Sequence, residues 1–334
     1  MGSIGDTQAH IPVIDISEAN SANAPKQLLQ AAIKHGFVFI RNNEGVMDSL
    51  LIAKLFNLAK DFFALPTEVK NEVSIGSNKA GKNYGWLGQG VEKLDPKQQE
   101  RPDVKEAFNM ALPDPQTGVY EQKLPDLLQQ DISTIRTFQS ACHDLCQRVF
   151  KFLALGLEIE EDWFTSRHDL QKGPTGTIFR LLYYPRHNAQ RHLGTDIRAG
   201  AHSDYGSVTC LFQLPGQPGL EILTPDGNWA AVPVDPEGEG GDRLPILVNI
   251  GDLLEDWTGG LLKSTKHRVV FPAEEAGDRY SIAYFCHPLD DALLEPVPSE
   301  IVREREKKHG RKEVKVITAK DHLMERLAAT YSVK

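Results

Sequence analysis

Between Thr177 and Cys286 the chain alternates short β-rich runs with Gly and Pro turns: TIFRLLYYP, SVTCLFQLP, GLEILTP, NWAAVPV, PILVNIGD, KHRVVFP and RYSIAYF. Many short strands with frequent turn signals indicate an antiparallel sandwich or barrel, such as a jelly roll. The rest of the chain has a different texture. A short apolar strand, Ile11–Ile16, opens it, and a helix from Pro25 to Lys34 follows, with Pro in its first turn and an end near Gly36. Phe37-Val38-Phe39-Ile40 is a continuous apolar run of buried-strand length. From Asp48 to Phe63 the apolar spacing is that of an amphipathic helix. Residues 75–103, rich in Gly, Lys, Asn and Pro, read as irregular structure.

A long helical stripe (Ile132, Ile135, Phe138, Cys142, Leu145, Val149, Leu153) runs within Pro125–Leu157 and reads as core packing. The charge run Arg303–Lys312 reads as a solvated face or mobile loop, and Ala319–Tyr331 as a closing helix. The fold class expected is mixed α and β, a jelly-roll core with N-terminal and C-terminal helices around it. Its segments are a helical and mixed region over 1–120, a helical connector over 121–172, the core over 173–290 and a helical extension over 291–334.

Composition narrows the function. Over 334 residues the chain is 40% hydrophobic and 25% charged, ordinary for a protein with a full core. Its net charge of −9 argues against a nucleic-acid surface, which shows a basic stripe. The opening MGSIGDTQAHIPVID has no apolar core of a signal peptide, and Asp6 stands where a myristoylation signal wants Ser or Thr. No apolar run approaches the roughly 18 residues of a membrane span. Four cysteines without a C-x-x-C pair fit a reducing compartment, so the expected location is cytoplasmic. Cys142 and Cys146, at i and i+4 on a helix, read as two buried thiols and not as a metal site.

One constellation carries chemistry. In His202-Ser203-Asp204, strand alternation turns residues i and i+2 to one side, so an imidazole and a carboxylate meet one ion. His267, 63 positions beyond Asp204 (267 − 204), is the best third ligand, on another predicted strand across the same barrel. Two imidazoles and one carboxylate make the facial triad that holds iron(II) and leaves positions open. A structural zinc site would be closed by four protein ligands, usually including thiolates. Arg279-Tyr280-Ser281 follows twelve positions on (279 − 267), with Arg279 and Ser281 facing one way. A guanidinium and a hydroxyl suit the distal carboxylate of a dicarboxylic acid such as 2-oxoglutarate. A structural ion pair is the bland reading of Arg279.

With these residues in place, the chain resembles the iron(II)/2-oxoglutarate-dependent oxygenases, the family of isopenicillin N synthase, flavonoid dioxygenases and gibberellin oxidases. The resemblance covers most of the chain: IPVIDIS, HGFVFIRNNEGV, DFFALPTEVK and DVKEAFNM, then RLLYYP, AHSDYGSVTCLFQ, GLEIL, VNIGDLLEDWTGGLLKSTKHRVVFP and DRYSIAYFCHP. It implies a double-stranded β-helix (jelly-roll) core with His202, Asp204 and His267 as iron ligands. It also implies Arg279, Ser281 and Tyr184 as supports for 2-oxoglutarate, and Phe285 as a wall of the substrate pocket. The implied activity is O2-dependent hydroxylation, desaturation or ring formation on a small organic molecule of secondary metabolism. Segments 75–120 and 186–200 and the C-terminal helix would shape the pocket.

Two departures stand out. Leu182 replaces an Asn that supports the keto acid in many relatives, and Asn42-Asn43-Glu44-Gly45 replaces an Asn-His-Gly turn. Asp252, after Asn249-Ile250-Gly251, reads as a turn cap and not a metal ligand. The alternatives are an isopenicillin N synthase-type oxidase without 2-oxoglutarate, a non-catalytic small-molecule-binding barrel and a zinc hydrolase. Succinate formation coupled to substrate loss, retention of all ligands, and metal content separate them.

Overall fold

The structure is a computed structural model that describes residues 8–43, 46–77, 83–186, 196–238, 243–271, 277–309 and 316–331, without the side chains of 329–331. Asp6, the Glu44-Gly45 half of the altered turn, residues 187–195 of the expected pocket segment and residues 310–312 of the charge run lie outside the described residues. In chain order the elements are β1 (Val13–Ile14), α1 (Ala24–Lys34), β2 (Phe37–Ile40), α2 (Ser49–Ala64), α3 (Thr67–Asn71), β3 (Gly85–Leu87), β4 (Glu106–Ala111), α4 (Asp126–Gln130) and α5 (Ile132–Gly156). Next come β5 (Ile178–Tyr184), β6 (Ala199–His202), β7 (Val208–Gln213), β8 (Leu220–Leu223), β9 (Trp229–Ala231) and β10 (Ile246–Ile250). The last are α6 (Asp252–Trp257), β11 (His267–Val269), β12 (Arg279–Cys286), α7 (Glu300–His309) and α8 (Ala319–Tyr331).

Two sheets form the core. The larger runs β1-β2-β10-β7-β12-β5-β4-β3 and the smaller β6-β11-β8-β9. Every pairing is antiparallel except β1 with β2. This is the expected mixed fold with a jelly-roll core. Alternation along β5 and β12 sorts two kinds of surface. Phe179, Leu181, Ile282 and Tyr284 join the core that also takes residues of α1, α2 and α5. Leu182, Tyr184 and Ala283 share the other core with Leu220, Ile222 and Val269 of the small sheet. Being covered on both faces, β12 reads as a nearly unbroken apolar run.

Several elements differ from expectation. The opening strand shrinks to Val13–Ile14, because Pro12 has no N–H to donate and Asp15 turns to accept from Ser17 N at 2.8 Å. The long helix restarts at Asp131, where φ is −100° and ψ 19°. Two strands, β3 and β4, lie where irregular or unassigned structure was read, and the strand expected over His202–Asp204 ends at His202. The described part of the charge run, residues 303–309, is the solvated face of α7 and not a loop, with Val302 the buried residue of that helix. Gly36 ends α1 in the left-handed region at φ +68°, where a Cβ would collide with the Lys263 carbonyl.

Cys142 and Cys146 are buried thiols as read, but Cys210 and Cys286 are buried beside them, with Cys146 Sγ 3.5 Å from Cys210 Sγ. Phe138 on α5 is fully buried between Phe179 and Phe212, at centroid distances of 5.6 and 5.0 Å. Phe138→Ala is expected to cost about 3–5 kcal/mol, seen as a lower urea midpoint with an unchanged far-UV dichroism spectrum. Parental stability would mean that α5 does not close this core.

Candidate metal centre

His202 ends β6 and His267 begins β11, and the two are direct register partners in the small sheet. Their ring centroids lie 4.3 Å apart. The third ligand is therefore a neighbour on the adjoining strand, not a residue from across the barrel. Asp204 lies past the end of β6, so strand alternation is not what aims it. Instead Thr209 Oγ1 and Asn249 Nδ2 donate to its Oδ2 at 2.6 and 2.7 Å. The other oxygen, Oδ1, stands 3.9 Å from His202 Nε2 and 3.7 Å from His267 Nε2. One ligand atom from each of the three side chains falls within 4.8 Å of the others.

The remaining ring nitrogens are occupied. His202 Nδ1 donates to the Gly200 carbonyl at 2.7 Å and His267 Nδ1 to the Thr265 carbonyl at 3.2 Å. A carbonyl only accepts, so each Nδ1 carries the hydrogen and each Nε2 keeps its lone pair for an ion. Phe37 meets the His267 ring edge-on at 5.6 Å. Burial, and then the neighbouring His267, bring His202 down to about 4. Burial works against the Asp204 charge, but His267, His202 and the bonds from Thr209 and Asn249 outweigh it and hold the carboxyl below its usual range. A neutral imidazole and an ionised carboxylate are the forms that bind a metal.

The donor set suits ferrous iron. It has two imidazole nitrogens, one carboxylate oxygen and no thiolate. Among the described residues no fourth His, Cys, Asp or Glu joins the group, which leaves coordination positions open. Asp252 stays out of it, as read, though Gly251 is the cap and Asp252 the first residue of α6. Its carboxylate accepts from Ser264 Oγ at 2.7 Å.

Arg279 is 1% exposed and stands opposite Tyr184, with its guanidinium carbon 5.0 Å from that ring's centroid. Its nitrogens donate to Ser281 Oγ, Gln213 Oε1 and the Gln217 carbonyl, each at 3.2 Å. All of these partners are neutral, and among the described residues no carboxylate pairs with Arg279. The structural ion pair is therefore absent there. A buried cation with neutral partners favours a carboxylate brought in from outside. Leu182 lies opposite Ser281 in the same face.

A cavity of about 1160 Å³ reaches His202 and Asp204. Phe285 lines it, as does Arg180, whose guanidinium carbon is 5.6 Å from the Phe285 centroid. Asn83 and Tyr84 contribute from the N-terminal part, and Leu323, Met324 and Leu327 of α8 close one side. Sequence reasoning missed Thr209, Asn249, Gln213 and Phe37. The one signal for Asn249 was a polar residue inside the apolar strand ILVNI.

The jelly roll and its His-Asp-His triad define a mononuclear non-haem metal enzyme. The profile of the 2OG-Fe(II) oxygenase superfamily matches residues 175–288, and that of the non-haem dioxygenase in morphine synthesis N-terminal region matches 11–129. The UPF0676 protein C1494.01 of Schizosaccharomyces pombe is 35% identical over 99% of this chain and 94% of its own length. The 2-oxoglutarate-Fe(II) type oxidoreductase ppzD of Metarhizium rileyi is 32% identical over 92% and 85%. Full-length Neurospora crassa T7H in complex with alpha-KG superposes with a TM-score of 0.78 at 32% identity, over 98% of both chains. That protein has also been solved with alpha-KG and thymine. The chain thus belongs to the 2-oxoglutarate–Fe(II) oxygenases and is a 2-oxoglutarate-dependent dioxygenase, an oxidoreductase with iron(II) and 2-oxoglutarate as cofactors. The oxidase, binding-barrel and zinc-hydrolase alternatives are not favoured by these relatives.

Three buried histidines set an acid limit. Burial brings His168 down to about 3, and His202 and His287 to about 4, from 6.5. Below pH 6.5 the unfolded chain takes up protons that the folded chain refuses. Stability is therefore present above 6.5 and lost as pH falls toward 4 and then 3. The metal-free protein is expected to lose up to about 1.4 kcal/mol per pH unit for each such histidine, read as a falling urea midpoint. His168→Gln should flatten that slope, and an unchanged slope would remove His168 from the account.

Proposed function

We propose that His202, Asp204 and His267 hold iron(II), and that Arg279, Ser281 and Tyr184 receive the distal carboxylate of 2-oxoglutarate. The observation that carries this reading is the convergence of Nε2, Nε2 and Oδ1 while the partner atoms Nδ1, Nδ1 and Oδ2 are tied to the protein. When bound, iron(II) and 2-oxoglutarate supply the O2-dependent oxidation, with the keto acid converted to succinate and CO2. The chain's own groups keep the His202 imidazole neutral, hold Asp204 ionised, offer Arg279 as counter-charge and enclose the substrate. With Leu182 in place of the polar family residue, binding of the keto acid rests more heavily on the metal and on Arg279.

The substrate reading is a small organic molecule seated against Phe285 and beside Arg180. The aromatic face suits a ring or an apolar surface, and the guanidinium suits a carbonyl or other acceptor. Many of the homologous dioxygenases are from fungal secondary metabolism, which supports a place there, and thymine in T7H makes a nucleobase the first compound to try. The acidic net charge of −9 supports a partner list of small molecules without nucleic acid. Among the described residues no helix is long and apolar enough to cross a membrane. Four cysteines, all free thiols, support a cytoplasmic placement. The segments 1–120, 121–172, 173–290 and 291–334 are the organisation we propose, with the third carrying the chemistry.

A screen of small molecules for O2 consumption and succinate release tests the assignment. His267→Ala is expected to abolish coupled turnover, and Arg279→Ala to raise the 2-oxoglutarate requirement by ten-fold or more, in line with about 1.5–3 kcal/mol for a charged hydrogen bond. Parental turnover by either variant would remove that residue from its role.

A further inference from the structure

Beside the metal centre lies a buried ionic cluster that the chemistry above does not use. Asp103, Glu92 and Lys105 are all nine-tenths or more buried, at 1%, 5% and 4% exposure. Asp103 Oδ2 accepts from Lys105 Nζ at 2.5 Å. Its Oδ1 accepts from Gln99 Nε2 at 2.6 Å and from the backbone N–H of Gly200 at 3.0 Å. Lys105 Nζ also stands 3.1 Å from Glu92 Oε2, and Arg180 Nη2 stands 3.3 Å from Glu92 Oε1. Two anions and two cations balance, and main-chain bonds fix the cluster: Asp103 N donates to the Glu92 carbonyl at 2.9 Å and Val104 N to the Ile197 carbonyl at 3.0 Å.

Gly200 is the junction. Its N–H is held by Asp103, and its carbonyl takes the Nδ1–H of His202 at 2.7 Å. A Cβ there would have to displace Gln99 Oε1 and would press on Asp95 N at 3.0 Å. We propose that Asp103, clamped by Lys105, is a positioning residue for His202: it anchors Gly200 by its N–H, and the Gly200 carbonyl, in the next peptide group, fixes the orientation and tautomer of the imidazole. The proposal rests on the reading of His202 as an iron ligand. Partners that orient a ligating imidazole typically carry 10–100-fold in metal affinity. Asp103 acts through one intervening residue, Gly200, which places it toward the lower end. The cluster also meets the cavity, since Glu92 and Arg180 both line it.

The test is equilibrium binding of Co(II) to the full metal-free chain, followed by the visible absorption of the bound ion. Asp103→Ala is expected to weaken Co(II) binding by about ten-fold and to change the spectrum. Asp103→Asn should have a smaller effect, because its amide oxygen still accepts from Gly200 N–H. If Asp103→Ala does not fold, Asp103→Leu combined with Lys105→Met, which removes one charge of each sign, decides with the same ten-fold expectation. Parental affinity and spectrum in the folded variants overturn the proposal. His202→Ala separates the two levels. If it loses Co(II) while the Asp103 variants keep it, the positioning role alone fails; if it binds like the parent, the metal reading fails with it.

Discussion

The site depends on a register pairing of three-residue economy: His267, the first residue of β11, faces His202, the last residue of β6. Neighbouring strands lie about 4.8 Å apart, so direct partners on one face bring two imidazoles to one ion without any long reach. Asp204 completes the set from just beyond the strand end, where the backbone is free to turn. A slip of one residue in this pairing would send one imidazole to the opposite face. The small sheet is thus a ruler for the ligands, and the larger sheet behind it supplies the bonds that stop Asp204 from rotating.

The larger sheet does two jobs with one strand. Along β12, Arg279, Ser281 and Phe285 sit at odd positions while Ile282, Tyr284 and Cys286 belong to the helix-side core. A substitution at an even position perturbs packing against α2 and α5, whereas one at an odd position reaches the face shared with Tyr184 and the small sheet, or the cavity. Period two is the physical reason that a strand buried on both faces can carry a cation at one end and an aromatic wall at the other. The cost of burying Arg279 is offset in part by three neutral acceptors, and the unmet part favours an incoming carboxylate.

Much of this was legible in the residues. The β-rich runs from Thr177 onward became strands because each is short, apolar and stopped by Gly or Pro. The closing helix lies at Ala319–Tyr331 as read. His202, Asp204 and His267 were nameable from spacing and resemblance, and the group they form is the one that could hold an ion among the described residues. What was hidden is what depends on tertiary partners. Ala199, Gly200 and Ala201 of AGAH offer no pattern, so the start of β6 is strand only because β11 pairs with it. Glu106–Ala111 looked unremarkable until β5 took it up along six residues. Thr209 and Asn249 are separated by 40 positions (249 − 209) and meet at one carboxylate oxygen through a β7–β10 pairing that no local signal announces.

Charge burial links these observations. Asp204 is held below its usual range by the neighbouring histidines and two donated hydrogens, while the burial that works against the carboxylate also brings His202 down to about 4. Lys105, Asp103, Glu92 and Arg180 repeat the logic one layer out, each charge matched within the protein. Arg279 differs from these four: among the described residues its hydrogen-bond partners are all neutral. A buried guanidinium so placed favours an anion brought in from outside.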